Sequence, residues 1–155
     1  MSVFNDGRRK LGTLVALLLS GLLLSGASGI AVGRDLGPRR TMLGLTNEDR
    51  TAHERDDLGF AAHLARYAKD HSRAMARKGY LFHSTEDQLR DALHGYNWEV
   101  GGENVGVGGS LESLEDAFMA SKAHRQNILR RPYDNAAFGI VRADGRIWVT
   151  VIFYG

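Results

Sequence analysis

The chain has 155 residues, of which 43% are apolar, and it contains no cysteine. Without its N-terminal segment, this length suits one domain with a single hydrophobic core. The absence of cysteine excludes disulfides, thiolate metal sites and cysteine nucleophiles within the chain. The net charge of +2 arises in the first 33 residues, so residues 34–155 are formally neutral and carry no basic excess that would suggest nucleic-acid binding.

The first 29 residues have the order of a secretory signal peptide. A short basic start precedes an apolar run from Leu11 to Leu24, and small residues follow up to position 29. Extended to Val32, the same run approaches the ~20 residues that span a bilayer, so a retained N-terminal membrane anchor is the alternative. Both interpretations export the rest of the chain, which is then secreted or held on the outer face of the cytoplasmic membrane.

Residues 30–42 have the composition of a linker, with glycines, arginines and Pro38 and no periodicity, and residues 43–155 are predicted to form the folded domain. Thr46 is a good N-cap for a short helix that ends between Arg55 and Gly59. Apolar periodicity predicts further helical segments over 60–78, 86–95, 111–118 and 124–129. His63 and His71 are given ordinary surface or core-edge roles in the longest of these helices.

The end of the chain is predicted to be a β-hairpin. Strands over 137–142 and 147–154 flank the dipeptide Asp144-Gly145, a strong hairpin indicator, and a further short strand is predicted around Val105 and Val107. Both faces of the last strand are apolar, so helices must cover the sheet on both sides. The predicted fold is therefore α+β, a three-layer α/β/α sandwich with a small antiparallel sheet.

Two polar clusters stand out against this ordinary small domain. Glu103 and Asn104 lie among glycines, where the backbone can turn tightly or be approached closely. His124 and Asn127 are three residues apart on a helical turn, which places them side by side. His83 follows a helix at the start of a loop. We expect these five residues to converge on one polar cleft.

The residues alone leave the chemistry of this cleft open. His83, Glu103 and His124 are about 20 residues apart in sequence, too far for a local metal-binding motif. Two imidazoles and one carboxylate around an open position would suit catalytic zinc. The same three side chains can instead form a hydrogen-bonded cluster that holds loops in place, or bind a polar group of a ligand.

Five stretches match a known family in order and spacing: T-N-E-D-R at 46–50, H-S-R-A-M-A-R-K-G-Y-L-F-H at 71–83, G-E-N-V-G at 102–106, S-K-A-H-R-Q-N-I-L at 121–129, and the C-terminal G-I-V…W-V-T-V-I-F-Y-G. Over about residues 43–155 the chain resembles the CAP domain family, also called SCP, in its secreted bacterial branch. The resemblance implies a three-layer α/β/α sandwich whose central cleft holds two histidines and two acids.

By this resemblance, His83 and His124 are the two histidines, which can take zinc or another divalent ion, and Glu103 is the acid of the G-E-N motif. The second acid is missing, because Ala120 and Ser121 stand near its expected place. Glu115, one helical turn earlier, is at most a weak substitute. The implied metal is therefore weakly bound, and catalysis loses support.

The expected function is that of an exported binding module whose cleft takes a small amphipathic ligand, a cell-envelope component or a protein partner. One alternative is a hydrolase or peptidase in which the histidine–glutamate cluster activates water, directly or through a metal. Another is a domain whose polar cluster is purely structural. No nucleic-acid partner is expected, and membrane contact is expected only through the N-terminal segment. The sequence does not set the oligomeric state.

Overall fold

The computed structural model describes residues 37–155, so the predicted signal peptide or anchor at 1–29 lies outside the described residues. The helices and strands follow in the order α1 Gly37–Ala52, β1 Gly59–Phe60, α2 Ala65–Lys78, α3 Glu86–Leu93, β2 Gly101–Gly108, α4 Leu111–Ala120, α5 Lys122–Ile128, β3 Asn135–Ala143 and β4 Arg146–Tyr154. Among residues 37–155, no helix has the length and apolar character needed to cross a membrane.

The four strands form one sheet in the order β1-β3-β4-β2. β3 and β4 make the antiparallel hairpin, and β2 pairs with β4 in the same antiparallel sense. Asp144 and Gly145 both have positive φ, 49° and 70°, as a type I′ hairpin turn requires. The sheet also contains one parallel pair that the sequence does not predict, because the two residues of β1 pair with the start of β3.

Helices cover both faces of this sheet, which confirms the three-layer α/β/α sandwich. On one face, α2 and α3 pack through Ala68, Met75 and Leu93 against the strands. On the other, Met42 of α1 and Phe118 of α4 belong to the largest core cluster. The side chains of β4 alternate between the two cores, since successive residues of a strand point to opposite faces.

The first described helix begins earlier than the sequence suggests. α1 starts at Gly37, so residues 37–42 are helical rather than part of a linker, and Thr46 lies buried inside the helix instead of capping it. Pro38 falls in the first turn, where its missing N–H costs no helical hydrogen bond. Met42 is fully buried, and its contacts with the core extend the helix towards the N-terminus.

α2 in turn begins later than predicted, at Ala65 rather than Phe60. Gly59 and Phe60 form β1 instead, because Gly59 N donates to the carbonyl of Asp134 and Ala61 N donates to that of Ala136. Local periodicity cannot reveal pairing with a strand some 75 residues away. The predicted end of α2 is confirmed, since Gly79 adopts a left-handed φ of 74°.

The glycines around Glu103 do not mark a turn, because residues 101–108 form one continuous strand, β2. They allow close approach instead. A Cβ on Gly102 would lie 2.4 Å from the hydroxyl of Tyr133, and one on Gly106 would lie 2.9 Å from the ring of Phe118. Because these glycines have no side chain, Phe118 of α4 and Tyr133, which follows α5, pack directly onto this strand.

Candidate functional site

Glu103 lies at the centre of the predicted cleft, on β2, with its side chain only 5% exposed. One carboxylate oxygen, Oε1, accepts hydrogen bonds from Ser84 N and His83 Nδ1, both at 2.9 Å. The other, Oε2, accepts from Ser84 Oγ at 2.7 Å. Both oxygens are therefore engaged in holding the loop between α2 and α3.

This arrangement orients the imidazole of His83. A carboxylate only accepts hydrogen bonds, so His83 Nδ1 must carry the proton it donates to Glu103. In the neutral ring, Nε2 then presents its lone pair, and the side chain is 57% exposed. The same carboxylate–histidine pairing orients many imidazoles that bind metals or ligands.

Two further residues on α2 complete the network. His71 Nε2 donates to the carbonyl of Phe82 at 2.9 Å and lies 4.0 Å from Glu103 Oε2. Tyr67 donates its hydroxyl to Ser84 Oγ at 3.1 Å. The sequence predicts only an ordinary role for His71, and nothing in it distinguishes Tyr67. Tyr67 and His71 are four residues apart and therefore lie on one face of α2. This spacing indicates a shared site only once α2 is known to lie beside β2.

The two asparagines join β2 to α5. Asn104 Nδ2 donates to the carbonyl of His124 at 3.1 Å. Asn127 Nδ2 donates both to Asn104 Oδ1, at 2.8 Å, and to the carbonyl of Glu103, at 3.1 Å. These bonds place the start of α5, and with it His124, beside the strand that carries Glu103.

The ring of His124 packs against Phe118, with 5.1 Å between ring centroids. Burial lowers the pKa of His124, and the nearby imidazole of His83 lowers it further. The ring is therefore neutral at neutral pH, and within residues 37–155 neither of its nitrogens has a hydrogen-bond partner. The fold thus brings all five predicted residues to one place, with His83 close enough to His124 to lower its pKa.

Glu115 does not replace the missing second acid. It lies on α4 with 3% exposure, and the groups that influence it are Thr46 and Asp49 of α1 and its neighbour Asp116. Burial raises the pKa of Glu115 to about 7. The hydroxyl of Thr46 lies near this carboxyl and lowers its pKa, but by less than burial raises it. Glu115 belongs to the contact between α1 and α4.

The donors that remain for a metal ion are few. In the described part of the chain, no three histidine, aspartate or glutamate side chains are grouped so that they could hold one. Glu103 is engaged by His83 and Ser84, so His83 Nε2 and the ring of His124 are left. His124 also lacks the hydrogen-bonded carboxylate or carbonyl that usually orients a metal-binding imidazole. Two imidazole nitrogens are fewer ligands than a tight structural metal site uses.

The model of the cysteine-rich secretory protein family, CAP, matches residues 43–153. The chain belongs to this family, although it has no cysteine of its own. The family assignment confirms the resemblance found in the five sequence stretches.

Individual relatives share the domain at moderate identity. The uncharacterised protein YkwD of Bacillus subtilis strain 168 is 29% identical over 111 residues, which is 67% of this chain and 42% of YkwD. An extracellular SCP-domain protein of Bacillus anthracis Ames superposes with a TM-score of 0.61 and 24% identity, covering 76% of this chain and 40% of that one. A cysteine-rich secretory protein of Staphylococcus aureus Mu50 gives 0.61 and 25%, with 77% and 40% covered. The chain therefore spans about two-fifths of each of these relatives.

Proposed function

We propose that this CAP domain is an exported binding module whose cleft, between His83 and His124, takes a small amphipathic ligand, a cell-envelope component or a protein partner. The main support for the proposal is the carboxylate of Glu103, because both of its oxygens accept hydrogen bonds from the loop between α2 and α3. Its hydrogen bonds hold His83 in one orientation, with Nε2 turned outwards near the neutral ring of His124. Such a preorganised pair of imidazoles can bind a polar group without reorganisation of the protein.

The hydrogen bonds of Ser84 favour binding over nucleophilic hydrolysis. Its hydroxyl donates to Glu103 Oε2 at 2.7 Å and accepts from Tyr67. An activated serine instead donates its proton to a base that is itself free to take it up and return it. Ser84 is engaged in holding the loop, so a hydrolase would have to activate water with His83 and His124, directly or through a metal.

Export is part of the proposal. It is supported by the signal-peptide order of residues 1–29 and by two relatives, from B. anthracis and S. aureus, that are described as extracellular or secretory. A cleft facing the cell exterior would meet envelope components and secreted proteins, which narrows the ligands worth testing.

The function is tested by ligand capture. The full chain is immobilised, exposed to solubilised cell envelope and eluted, and the retained compounds are analysed by mass spectrometry. A His83→Ala/His124→Ala variant is the matched control. We expect a compound that the wild type retains, that the variant does not, and that leaves the column with its mass unchanged. Retention by both proteins would contradict the proposed cleft, and a hydrolysed product would identify an enzyme.

A further inference from the structure

A second cavity of the domain is bordered by positive charge. It has a volume of about 400 Å³, is lined by residues of α1, α2, β1 and β3, and shares no residue with the candidate cleft. Its charged side chains are Arg39 and Arg40, in the first turn of α1, and Lys69 of α2. The rest of the lining consists of Gly37, Pro38, Phe60 and Ile140. The cavity therefore combines three cations with apolar residues, and no carboxylate of the described chain lines it.

Packing of the main chain keeps these cations together. α2 passes so close to β3 that a Cβ on Gly139 would collide with the backbone of Ala68 and Lys69. Ala68 is fully buried in this contact, which fixes the position of the next residue, Lys69. From α1, the guanidinium of Arg40 lies over the ring of Phe60, 5.5 Å from its centre. The cations are thus carried by backbone segments whose positions the core determines.

The three cations have no counter-charge in the protein. Across residues 37–155, none of them takes part in an ion pair, and Asp70, which follows Lys69, pairs with Arg73 instead. Like charges around one concave surface repel each other, and an anion that enters the cavity relieves this repulsion. Two guanidinium groups and an ammonium also suit the oxygens of a phosphate, which arginine contacts through two parallel N–H groups.

The cavity also lies close in sequence to the apolar N-terminal run. The run extends to Val32, and α1 begins five residues further on, at Gly37. Five residues span at most about 18 Å. In a chain whose run is retained in the bilayer as an anchor, the start of α1 therefore remains within that distance of it. Lysine and arginine side chains near an anionic lipid surface are attracted to it. The membrane is thus the anionic partner closest to the cavity.

We infer that this cavity binds the phosphate of an anionic phospholipid on the outer face of the cytoplasmic membrane. Arg39 and Arg40 contact the phosphate oxygens, Lys69 adds the third positive charge, and the apolar lining faces the glycerol of the lipid. The inference extends membrane contact from the N-terminal segment to the domain itself. It goes beyond the proposed function, because it uses none of the residues of the cleft.

The first experiment measures contact of the domain with vesicles. The chain has no cysteine, so Ala62→Cys provides a single labelling position, exposed and two residues beyond Phe60. A nitrobenzoxadiazole label becomes brighter and shifts its emission to the blue when it enters the headgroup region. The labelled full chain is reconstituted with vesicles of phosphatidylcholine alone, or with about 30% phosphatidylglycerol. The apolar run enters both kinds of vesicle, so the difference between them reports on the domain. We expect the brighter, blue-shifted emission only with phosphatidylglycerol.

A charge-matched pair of variants tests the cavity. Arg39→Gln/Arg40→Gln removes two adjacent arginines from its border, while Arg130→Gln/Arg131→Gln removes two adjacent exposed arginines elsewhere. Both double substitutions lower the net charge of the labelled chain by two. We expect the first variant to lose the phosphatidylglycerol-dependent change in emission and the second to keep it. Circular dichroism confirms that each variant is folded.

Lys69→Gln tests the cavity from α2 and decides the question if the α1 variant does not fold. It removes one charge, so the same change in emission should require about 2-fold more phosphatidylglycerol or more. The cleft variant His83→Ala/His124→Ala should keep the change, because neither histidine lines the cavity.

Four results would overturn the inference. Equal emission with both kinds of vesicle would show that the domain does not contact anionic lipid. Equal loss in both arginine pairs would show that overall charge acts instead of the cavity. The same change with oleate in place of phosphatidylglycerol would show that any negative surface suffices without a phosphate. Loss of the change in about 10 mM glycerol phosphate would assign the cavity to a soluble phosphate ester. In each case ligand capture by the cleft, and with it the proposed function, would stand. Failed capture together with a phosphatidylglycerol-dependent change would leave this inference standing alone.

Discussion

Glu103 determines the orientation of His83 because its carboxylate accepts three hydrogen bonds from the loop before α3. Glu103→Gln keeps the size of the side chain but replaces one accepting oxygen with a donor, which must face Ser84 or His83. We expect the free energy of unfolding to fall by about 1–3 kcal/mol, measured by urea denaturation. The exposed Glu99→Gln is the matched control and should change it by less than about 0.5 kcal/mol. An unchanged midpoint in Glu103→Gln would mean that the network does not stabilise the loop.

The two imidazoles of the cleft are expected to bind zinc weakly. Calorimetric titration of zinc into the full chain should give one site that both His83→Ala and His124→Ala abolish, while the exposed His94→Ala leaves it intact. Because a coordinating imidazole must be unprotonated, the affinity should decrease as pH falls through about 6.5. Zinc binding that survives both cleft substitutions would place the metal elsewhere.

Glu115 should make the domain less stable as pH rises. Its pKa is raised from 4.5 to about 7 in the folded state, chiefly by burial. Below 4.5 both states hold the proton. Between 4.5 and about 7 the unfolded chain releases it first, so the free energy of unfolding declines through this window and then levels off. Glu115→Gln should remove that decline and exceed the wild type at pH 8 by about 2–3 kcal/mol. If the free energy of unfolding depended on pH in the same way in both proteins, the pKa of Glu115 would not be raised in the folded state.

At the scale of elements, α1 is joined to the chain around α5 by one buried arginine. Arg50 is 1% exposed and donates to the carbonyls of Asp56, Ile128 and Tyr133 at 2.7–3.0 Å. In the described part of the chain it forms no salt bridge, so its planar group acts by connecting backbone segments. One of these carbonyls belongs to Ile128, the last residue of α5, and α5 is also the helix that carries His124.

Arg50→Lys keeps the charge but cannot reach three carbonyls in different directions. We expect the free energy of unfolding to drop by about 3 kcal/mol or more, because buried acceptors lose their donors. The exposed Arg66→Lys serves as control and should be nearly neutral. Thermal denaturation followed by circular dichroism distinguishes the two. A melting temperature for Arg50→Lys equal to that of the control would show that lysine or water replaces the lost bonds.

For the whole molecule, the central prediction is export. A reporter enzyme fused after Val32 should be active outside the cytoplasmic membrane, because the basic start and the run from Leu11 to Leu24 direct translocation. Replacing two leucines of that run with arginines should keep the reporter inside. The mass of the exported chain then distinguishes cleavage near residue 29 from a retained anchor. A cytoplasmic reporter with the unaltered segment would refute this prediction.

The residues of the candidate site differ in how clearly the sequence marks them. His83, Glu103, Asn104, His124 and Asn127 could be selected because polar residues interrupt apolar patterns at the boundaries of predicted elements. His71 could not, since a histidine on a helix has no distinguishing pattern until its neighbours in space are known. The glycines of β2 indicate a close approach to the backbone, which the structure shows, and they also suggest a turn, which does not form.

The sequence by itself determined the features that depend on residues near each other in the chain. The turn at Asp144-Gly145, the end of α2 at Gly79 and the two apolar faces of β4 follow from local conformation and alternation, and together they imply the three layers. Only the tertiary structure decided the start of α1, the strand at Phe60 and the approach of His71 to Glu103. Each of these depends on a contact with a distant part of the chain, whose free energy outweighs the local preference.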